Sequence, residues 1–473
     1  MTHAPSLPDL GKLSDLSKLS DADKDALIMA LWTQLDAALA VNAELTSKVE
    51  ALTARVAELE AKLNEPPKTP DNSSLPPSHG HKANKPPRRK RRKDRRPGVG
   101  RELHSDPDHI VEARAETCSS CAAVLTEGDQ KLQAVYERIE LPPIKPIVTQ
   151  VRLHGGTCPH CGAVFTARPP PGLEPGSPFG SSIEALAVYL HHCQAISFER
   201  LSALFLDIFG LTISEGALAN LFKRVKPRFD ERALAIKQRV LVSPIVCSDE
   251  TSARVEGRNW WEWVFLGTDA VLHVIEPSRG KKVPKGIFGE HRPAVWVSDL
   301  LGAQQGHAED WQVCLAHQLR NVQYAIDAGD DILAPMMKRV LLRAITIGKR
   351  RDRLKDSTLL QYRADLERRM DAVMKLHPIN RHGIRLRKRF AKIRSNLFVF
   401  VTNRKVPYTN NASERALRPS VVFRKVTNGF RSQWGGHLFA AVRSVVDTGR
   451  HNGLSVFQAI RATLDGNSIF MTA

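Results

Sequence analysis

The spacing of hydrophobic positions changes several times along this chain, and each change marks a different kind of element. Between residues 21 and 65, apolar positions recur in steps of three and four, through Ile28, Leu31, Leu35, Ala38 and on to Leu63. That spacing puts one stripe on a helix and predicts a coiled coil. Leu45, Leu52 and Leu59 fall at one seam position, Val49 and Val56 at the other, and Asn42 shares the valine position. β-Branched residues alternating with leucine favour two parallel strands, and a buried asparagine pair fixes their register. Asn42, Leu45, Val49, Leu52, Val56 and Leu59 are therefore the expected dimerisation residues, and a second copy of the chain is the expected partner.

Periodicity stops over residues 66–100. EPPKTPDNSSLPPSHG is rich in proline, serine and asparagine, and ten Lys or Arg follow between positions 82 and 96. Such a composition cannot bury enough apolar surface to fold alone, so a disordered basic linker is expected. Arg88, Arg89, Lys90, Arg91, Arg92 and Lys93 become candidates for contacts to phosphate.

Strand-like alternation takes over in residues 101–172, in AVYERIEL and IVTQVRLH, between two C-x-x-C pairs. Cys118, Cys121, Cys158 and Cys161 can supply four thiolates to one Zn²⁺, provided a small sheet gathers the pairs. This stretch reads as a small zinc-binding β module. After the hinge RPPPGLEPGSP, residues 180–240 take helical spacing. SFERLSALFLDIF, a turn at Gly210, a cap at Ser214 and EGALANLFKRV make a helix-turn-helix-like region.

Period two returns in residues 241–327. IVCSDETSARV, WWEWVFLG, AVLHVIEP and AVWVSDLL read as strands, and DWQVCLAHQLRNVQYAI as a strand passing into a helix. The order predicts a mixed α/β sheet. Residues 328–405 are helical and very basic, and residues 406–465 supply a helix carrying Glu414 and closing helices.

Composition sharpens this picture. A length of 473 residues suggests about three domains. A net charge of +19 and a pI near 9.8 favour a polyanionic partner. No unbroken run of 18 apolar residues exists, so no membrane span is expected. MTHAPSLPDL lacks the basic and apolar stretches of a secretory signal, so the expected location is cytoplasmic. Seven cysteines, four of them in C-x-x-C pairs, point to metal rather than to a disulfide framework.

Three acids carry the candidate chemistry. Asp249 closes the apolar run LVSPIVCSD, Asp299 closes PAVWVSD, and Glu414 sits in NNASERALRP at a helix start. Acids at two strand ends and on a later helix can converge to hold two Mg²⁺ ions, hard cations that prefer oxygen. Asp269 and Asp310 lie nearby, but neither ends a comparable apolar run. Arg415 and Arg418 follow Glu414 at helical offsets, and Lys425, with Arg424 and Arg431, extends the basic surface toward a phosphate backbone. Cys314-x-x-His317 offers two donors, too few for a zinc site, so a structural or DNA-positioning role is expected.

Taken together, these motifs resemble those of the insertion sequence 66 family of bacterial DDE transposases. The likeness runs through the zipper, KTPDNSSLPPS, the cysteine pairs, SDETSARVEGRNWWEWVF, VCLAHQLRN, NNASERALRP and RKVTNGFRSQWGG. It implies an RNase H-like core with Asp249, Asp299 and Glu414 as its triad, Mg²⁺ or Mn²⁺ as cofactor, and cleavage and joining of DNA at the ends of a mobile element. It further implies an α-helical insertion within the 115 residues from Asp299 to Glu414. Terminal inverted repeats, target DNA and accessory proteins encoded by the same element are the implied partners, in a bacterial, nucleoid-associated setting. Thr409 stands where the family often has Asp, and Leu300-Leu301 where it commonly has Gly-Tyr. Zipper, cysteine module and helix-turn-helix alone would suffice for a catalytically inactive DNA-binding regulator; metal-dependent nicking separates the two readings. A nuclease without strand transfer is separated by its failure to join a precut end to target DNA.

The full chain is expected to sediment as a dimer at micromolar concentration. Leu45→Asp with Leu52→Asp should give monomers, since each lost seam leucine removes about 2–5 kcal/mol. A monomeric parent protein would overturn the zipper assignment.

Overall fold

A computed structural model describes residues 20–63, 65–73, 75 and 101–470. Residues 88–93, the expected phosphate-contacting tract, lie outside the described residues.

The N-terminal stripe forms one helix, α1 (Asp21–Leu63), of 43 residues. Among the described residues its seam is exposed: Leu45 is 53% exposed and Leu52 is 65% exposed. By length and composition, Asp21–Val56 is apolar enough to cross a membrane, a test that the core helix of a soluble protein also passes. Asp36 and neighbouring polar residues interrupt the stretch, so it holds no unbroken run of 18 apolar residues.

Residues 65–73, at the start of the expected linker, lie against the body of the chain. Asn72 is buried; its side chain accepts from the Thr69 N–H at 2.7 Å and donates to Pro67 O at 3.1 Å and Asp327 at 2.9 Å. Glu65 pairs with Arg381 at 2.6 Å. A short side-chain-capped turn thus docks where composition alone suggested no fold.

The cysteine region forms less sheet than its alternation predicts. Only the hairpin β1 (Gly155–Thr157) and β2 (Val164–Thr166) appears, with one bridge between Thr117 and Val124. AVYERIEL and IVTQVRLH enter no strand, and Tyr136, Leu141 and Val148 are each 88% exposed. Alternation shows that a segment fits a sheet face, but among the described residues no second strand lies alongside it.

From residue 180 onward the chain packs tightly. α2 (Ser181–Val188) passes through a π-helical turn and is followed by α3 (Phe198–Phe209) and α4 (Glu215–Leu241). Gly210 ends α3 at φ 62°, a left-handed cap that suits glycine. Ser214 caps α4 by accepting the Ala217 N–H at 3.1 Å. Leu218, Leu221, Phe222, Val225 and Phe229 bury one face of α4. The helical hairpin is therefore built into the core along that face.

Five strands form the main sheet: β3 (Ile245–Val255), β4 (Arg258–Leu266), β5 (Val271–Glu276), β6 (Val295–Ser298) and β7 (Asp310–Val313). Their order is β5-β4-β3-β6-β7. The first three make an antiparallel meander, while β6 and β7 run parallel to β3. A short helix, α5 (Lys282–Phe288), bridges β5 to β6. Alternation divides the sheet between cores. Val246, Trp263, Phe265 and Trp296 face α2–α4 and the C-terminal helices α12 (Gln433–His451) and α13 (Val456–Leu464). Cys247, Val295 and Val297 face a second core. That core is filled by α6 (Leu315–Asp327), α7 (Ala334–Gly348), α8 (Asp356–Met374), α9 (Arg381–Ile393) and α10 (Val399–Thr402). α11 (Asn411–Thr427) returns to the same side of the sheet, with Leu417 against Val264.

A buried ionic network ties β4 and β5 to α11 and α12. His273 is hydrogen-bonded to Glu262 at 2.9 Å and to Asp447 at 3.0 Å, one through each ring nitrogen. Ser420 donates to Glu262 at 2.8 Å, and Arg443 to Asp447 at 2.7 Å. Both ring nitrogens donate only in the imidazolium form. Burial alone would push the imidazole down, but the bonds to Asp447 and Glu262 outweigh it and hold the pKa above the usual value. Burial likewise opposes the charge on Asp447, yet His273 and Arg443 hold its carboxyl below the usual range.

The raised His273 stabilises the fold fully below the unfolded histidine value, about 6.5, and this contribution is lost as pH rises through the folded value. The lowered Asp447 contributes above the unfolded value, about 3.9, and loses its contribution as pH falls through its folded value. His273→Gln should destabilise the chain by about 3 kcal/mol at pH 6. The gap in melting temperature between parent and variant should narrow toward pH 9; a gap that widened would overturn the charged assignment.

Candidate active site

The parallel register brings the expected acids level. β3 pairs with β6 as Cys247 opposite Val297, so two residues further on Asp249 and Asp299 stand side by side. β6 pairs with β7 as Ser298 opposite Val313, so Cys314 comes next on the same level. Adjacent strands lie about 4.8 Å apart, which sets the scale of this row. Asp310 begins β7 opposite Val295, at the other end of the strand from Asp299. Asp269 lies in the β4–β5 turn, paired with Arg239 at 2.6 Å. Neither alternative acid joins the row.

Glu414 reaches this row through a set of backbone ties. Leu315 N–H donates to Tyr408 O at 3.0 Å, and Asn410 N–H to Cys314 Sγ at 3.1 Å. Asn410 is buried, and its side-chain amide donates to Ser248 O at 2.8 Å, immediately before Asp249. Its oxygen accepts from Ser413 at 2.8 Å. One asparagine thus fixes the start of α11 against the end of β3, with Glu414 in the first helical turn.

The electrostatics record the crowding. Burial, followed by the charges of Glu250, Asp299 and Glu414, pushes the Asp249 carboxyl well above the usual range. Glu250 points to the opposite face of β3, as adjacent strand residues do. There it accepts from Arg279 at 2.9 Å and Gln304 at 2.7 Å, although burial outweighs these partners and holds its carboxyl above the usual range. Asp299 accepts the Leu301 N–H at 2.8 Å.

His317, in the first turn of α6, places Nδ1 3.7 Å from Glu414 Oε1. These two atoms are buried and lack a hydrogen-bond partner. Burial lowers the His317 imidazole, against the raising effect of Glu414 and Asp299. Donor atoms of Cys314, His317 and Glu414 lie within 4.8 Å of one another. Burial pushes the Cys314 thiol up, and its sulfur already accepts from Asn410. A thiol must lose its proton to ligate a metal, so Cys314 fits a positioning role and the orphaned Glu414 oxygen fits a cation. The sequence reading found Cys314 and His317 by motif but had nothing to place Glu414 beside them. It missed Asn410 as the staple, although NNASER at a helix start was the available signal.

Arg415, Arg418 and Lys425 are exposed along α11, whereas Arg424 turns back to bond Ser252. The four module cysteines sit on two matching turns. Cys118 N–H bonds Ala123 O at 2.9 Å, and Cys158 N–H bonds Ala163 O at 2.8 Å. Backbone N–H groups after each first cysteine lower its thiol, from Ser120 and Cys121 at Cys118 and from Cys161 and His160 at Cys158. The two pairs are not gathered into one cluster of metal-donor spacing. Among the described residues the group with that spacing is Cys314, His317 and Glu414.

Fold and site define a mixed α/β protein with a row of acids at the end of its parallel strands. The chain belongs to the transposase IS66 family, whose model matches residues 176–438, more than half its length. A model for a family of unknown function matches residues 12–106. No curated protein matches the chain.

Asn410→Ala should destabilise the chain by about 2 kcal/mol, because Ser248 O and the Ser413 hydroxyl lose buried partners. Asn410→Asp keeps the acceptor for Ser413 but not the donor for Ser248, and should not restore stability. Thermal unfolding checks both, and an unaltered Asn410→Asp protein would overturn the staple.

Proposed function

We propose that this transposase cleaves and joins DNA at the ends of an insertion sequence, and that Asp249, Asp299 and Glu414 are its catalytic residues. One observation carries the reading: Asp299 and Glu414 both bear on a half-buried Asp249 at the level ends of adjacent parallel strands. The sheet order, an antiparallel meander extended by two parallel strands, supports an RNase H-like core. α7–α10, within residues 328–405, are its helical insertion.

Three acids crowded together favour divalent cations, and the unpartnered Glu414 oxygen fits one. Asp249 would bridge two Mg²⁺ or Mn²⁺ ions, with Asp299 on one and Glu414 on the other. Such ions, when bound, promote ionisation of water and offset charge on a leaving oxygen. The chain's own part is positional. The β3–β6 register sets the two aspartates side by side, Asn410 holds the glutamate helix, and His317 packs beside Glu414. Hydrolysis breaks a phosphodiester P–O bond and frees a 3′-OH; that hydroxyl then attacks target DNA and displaces a 3′ oxygen there. No covalent bond to protein is needed.

The remaining modules support DNA handling. Cys118, Cys121, Cys158 and Cys161 would hold structural Zn²⁺ once the two turns are brought together, which the lowered thiols of Cys118 and Cys158 favour. Arg88, Arg89, Lys90, Arg91, Arg92 and Lys93, with Arg415, Arg418 and Lys425, would contact phosphates. α1 would pair two copies through Asn42, Leu45, Val49, Leu52, Val56 and Leu59. Accessory proteins encoded by the same element would act beside it.

With DNA carrying the sequences that flank the coding region, Asp249→Asn, Asp299→Asn and Glu414→Gln should each lower cleavage and joining by at least about 10³-fold, several kcal/mol of barrier. DNA binding should persist. Near-normal strand transfer by Glu414→Gln would overturn the assignment of the third acid.

A further inference from the structure

The most basic helix of the insertion presents a stripe that the assignments so far leave unused. α9 reads RHGIRLRKRFAKI. Gly383, Leu386, Phe390 and Ile393 bury one face. Arg385, Lys388, Arg389 and Lys392 are exposed on the other. Their spacing of i, i+3, i+4 and i+7 lines them along one side of the helix. The other arginines around this helix are occupied. Arg381 pairs with Glu65, Arg394 with Asp371 at 2.7 Å, and Arg387 donates to Met374 O at 3.0 Å. Among the described residues no ion pair holds any of the four stripe cations.

The stripe forms one wall of a cleft of about 630 Å³ whose other residues include Asp299, Trp311 and His317. A neighbouring cleft of about 590 Å³ shares Asn321, Arg385 and Arg389 with it and continues to the docked turn at Asn72. A single trough thus runs from the acid row along α9. The wall is held rigidly. Asn380 caps α9 by accepting the His382 N–H at 2.8 Å, and its amide donates to Ala328 O at 2.7 Å.

Four mutually repelling cations beside a cluster of acids suit a ligand that is a repeating anion with one phosphate at the acids. We infer that Arg385, Lys388, Arg389 and Lys392 form the track that holds the DNA backbone leading into the Asp249–Asp299–Glu414 site. The inference rests on the proposed cleavage reading and adds where the strand lies. From Arg385 to Lys392 the helix rises about 10 Å, which matches roughly three phosphates at about 3.4 Å of axial rise per nucleotide. These contacts are to phosphate, so they position DNA without selecting its sequence.

The test uses the full chain and a fluorescent 30-base-pair duplex of arbitrary sequence, titrated at several salt concentrations with Ca²⁺ in place of Mg²⁺. The variant Arg385→Ala/Lys388→Ala/Arg389→Ala/Lys392→Ala should bind about 10²-fold more weakly. Its log–log salt slope should fall by about 2 to 3, at roughly 0.9 per lost phosphate contact. The pair Arg385→Gln/Arg389→Gln, which keeps more of the side-chain stems, should show about half that change. Both should unfold at the parent temperature. Unchanged affinity and slope in both variants would overturn the track. If that occurs while the parent cleaves in Mg²⁺ and Asp299→Asn does not, the cleavage reading stands alone. If the slopes fall as expected but the parent never cleaves DNA carrying its flanking sequences, the track stands and the cleavage reading fails.

Discussion

Like charges brought together out of water resist it, and that resistance organises the sheet-bearing half of this chain. Asp249 is half-buried with the charges of Glu250, Asp299 and Glu414 around it, so its carboxyl holds its proton well beyond the usual range. Nothing local could keep such acids together. The β3–β6 register does so from below, since adjacent parallel strands cannot separate without breaking the sheet. Glu250 faces Arg279 and Gln304 on the far side, which ease its charge, while burial and the charge of Asp299 still push its carboxyl up. Among the described residues, Asp249 and Asp299 accept only backbone N–H groups and Glu414 has His317 at 3.7 Å, so a divalent cation would answer their charge.

Glu414 arrives from far along the chain, and its placement depends on polar staples more than on hydrophobic packing. Asn410 links α11 to Ser248 O and to Cys314, while Ser420 links the same helix to the buried Glu262–His273–Asp447 network. Buried polar groups of this kind are costly unless fully paired, which makes their geometry specific. The intervening helices build their own core around Leu341, Leu366, Met370 and Phe390. The insertion therefore behaves as a packed body, and the α9 stripe is carried on a rigid wall.

The N-terminal part follows a different logic. α1 exposes a long apolar seam, and the segments around the cysteine turns expose Tyr136, Leu141 and Val148. Apolar exposure on this scale is what a chain shows when its partners are other molecules. Between these parts and the sheet-bearing body sits the docked turn at Asn72, tied to Asp327 on α6 and, through Glu65, to Arg381 on α9. It joins the seam helix physically to the trough wall.

Local pattern by itself determined the long helix, the period-two strands, the helical insertion, the Ser214 cap and the acids worth watching, because each is written in spacing or in residues whose backbone preferences are strong. The same local rules overreached where a partner decides the outcome. AVYERIEL has strand periodicity but no neighbouring strand among the described residues, and the start of the proline-rich linker has the composition of disorder but docks through Asn72. Only the tertiary structure decided that Asp310 lies at the wrong end of its strand, that Asn410 staples the glutamate helix, that His317 meets Glu414, and that four cations on α9 face the acid row. Register and long-range contact are not encoded in any one segment. They follow from how two faces of one sheet are covered, and that is settled only when all the helices pack together.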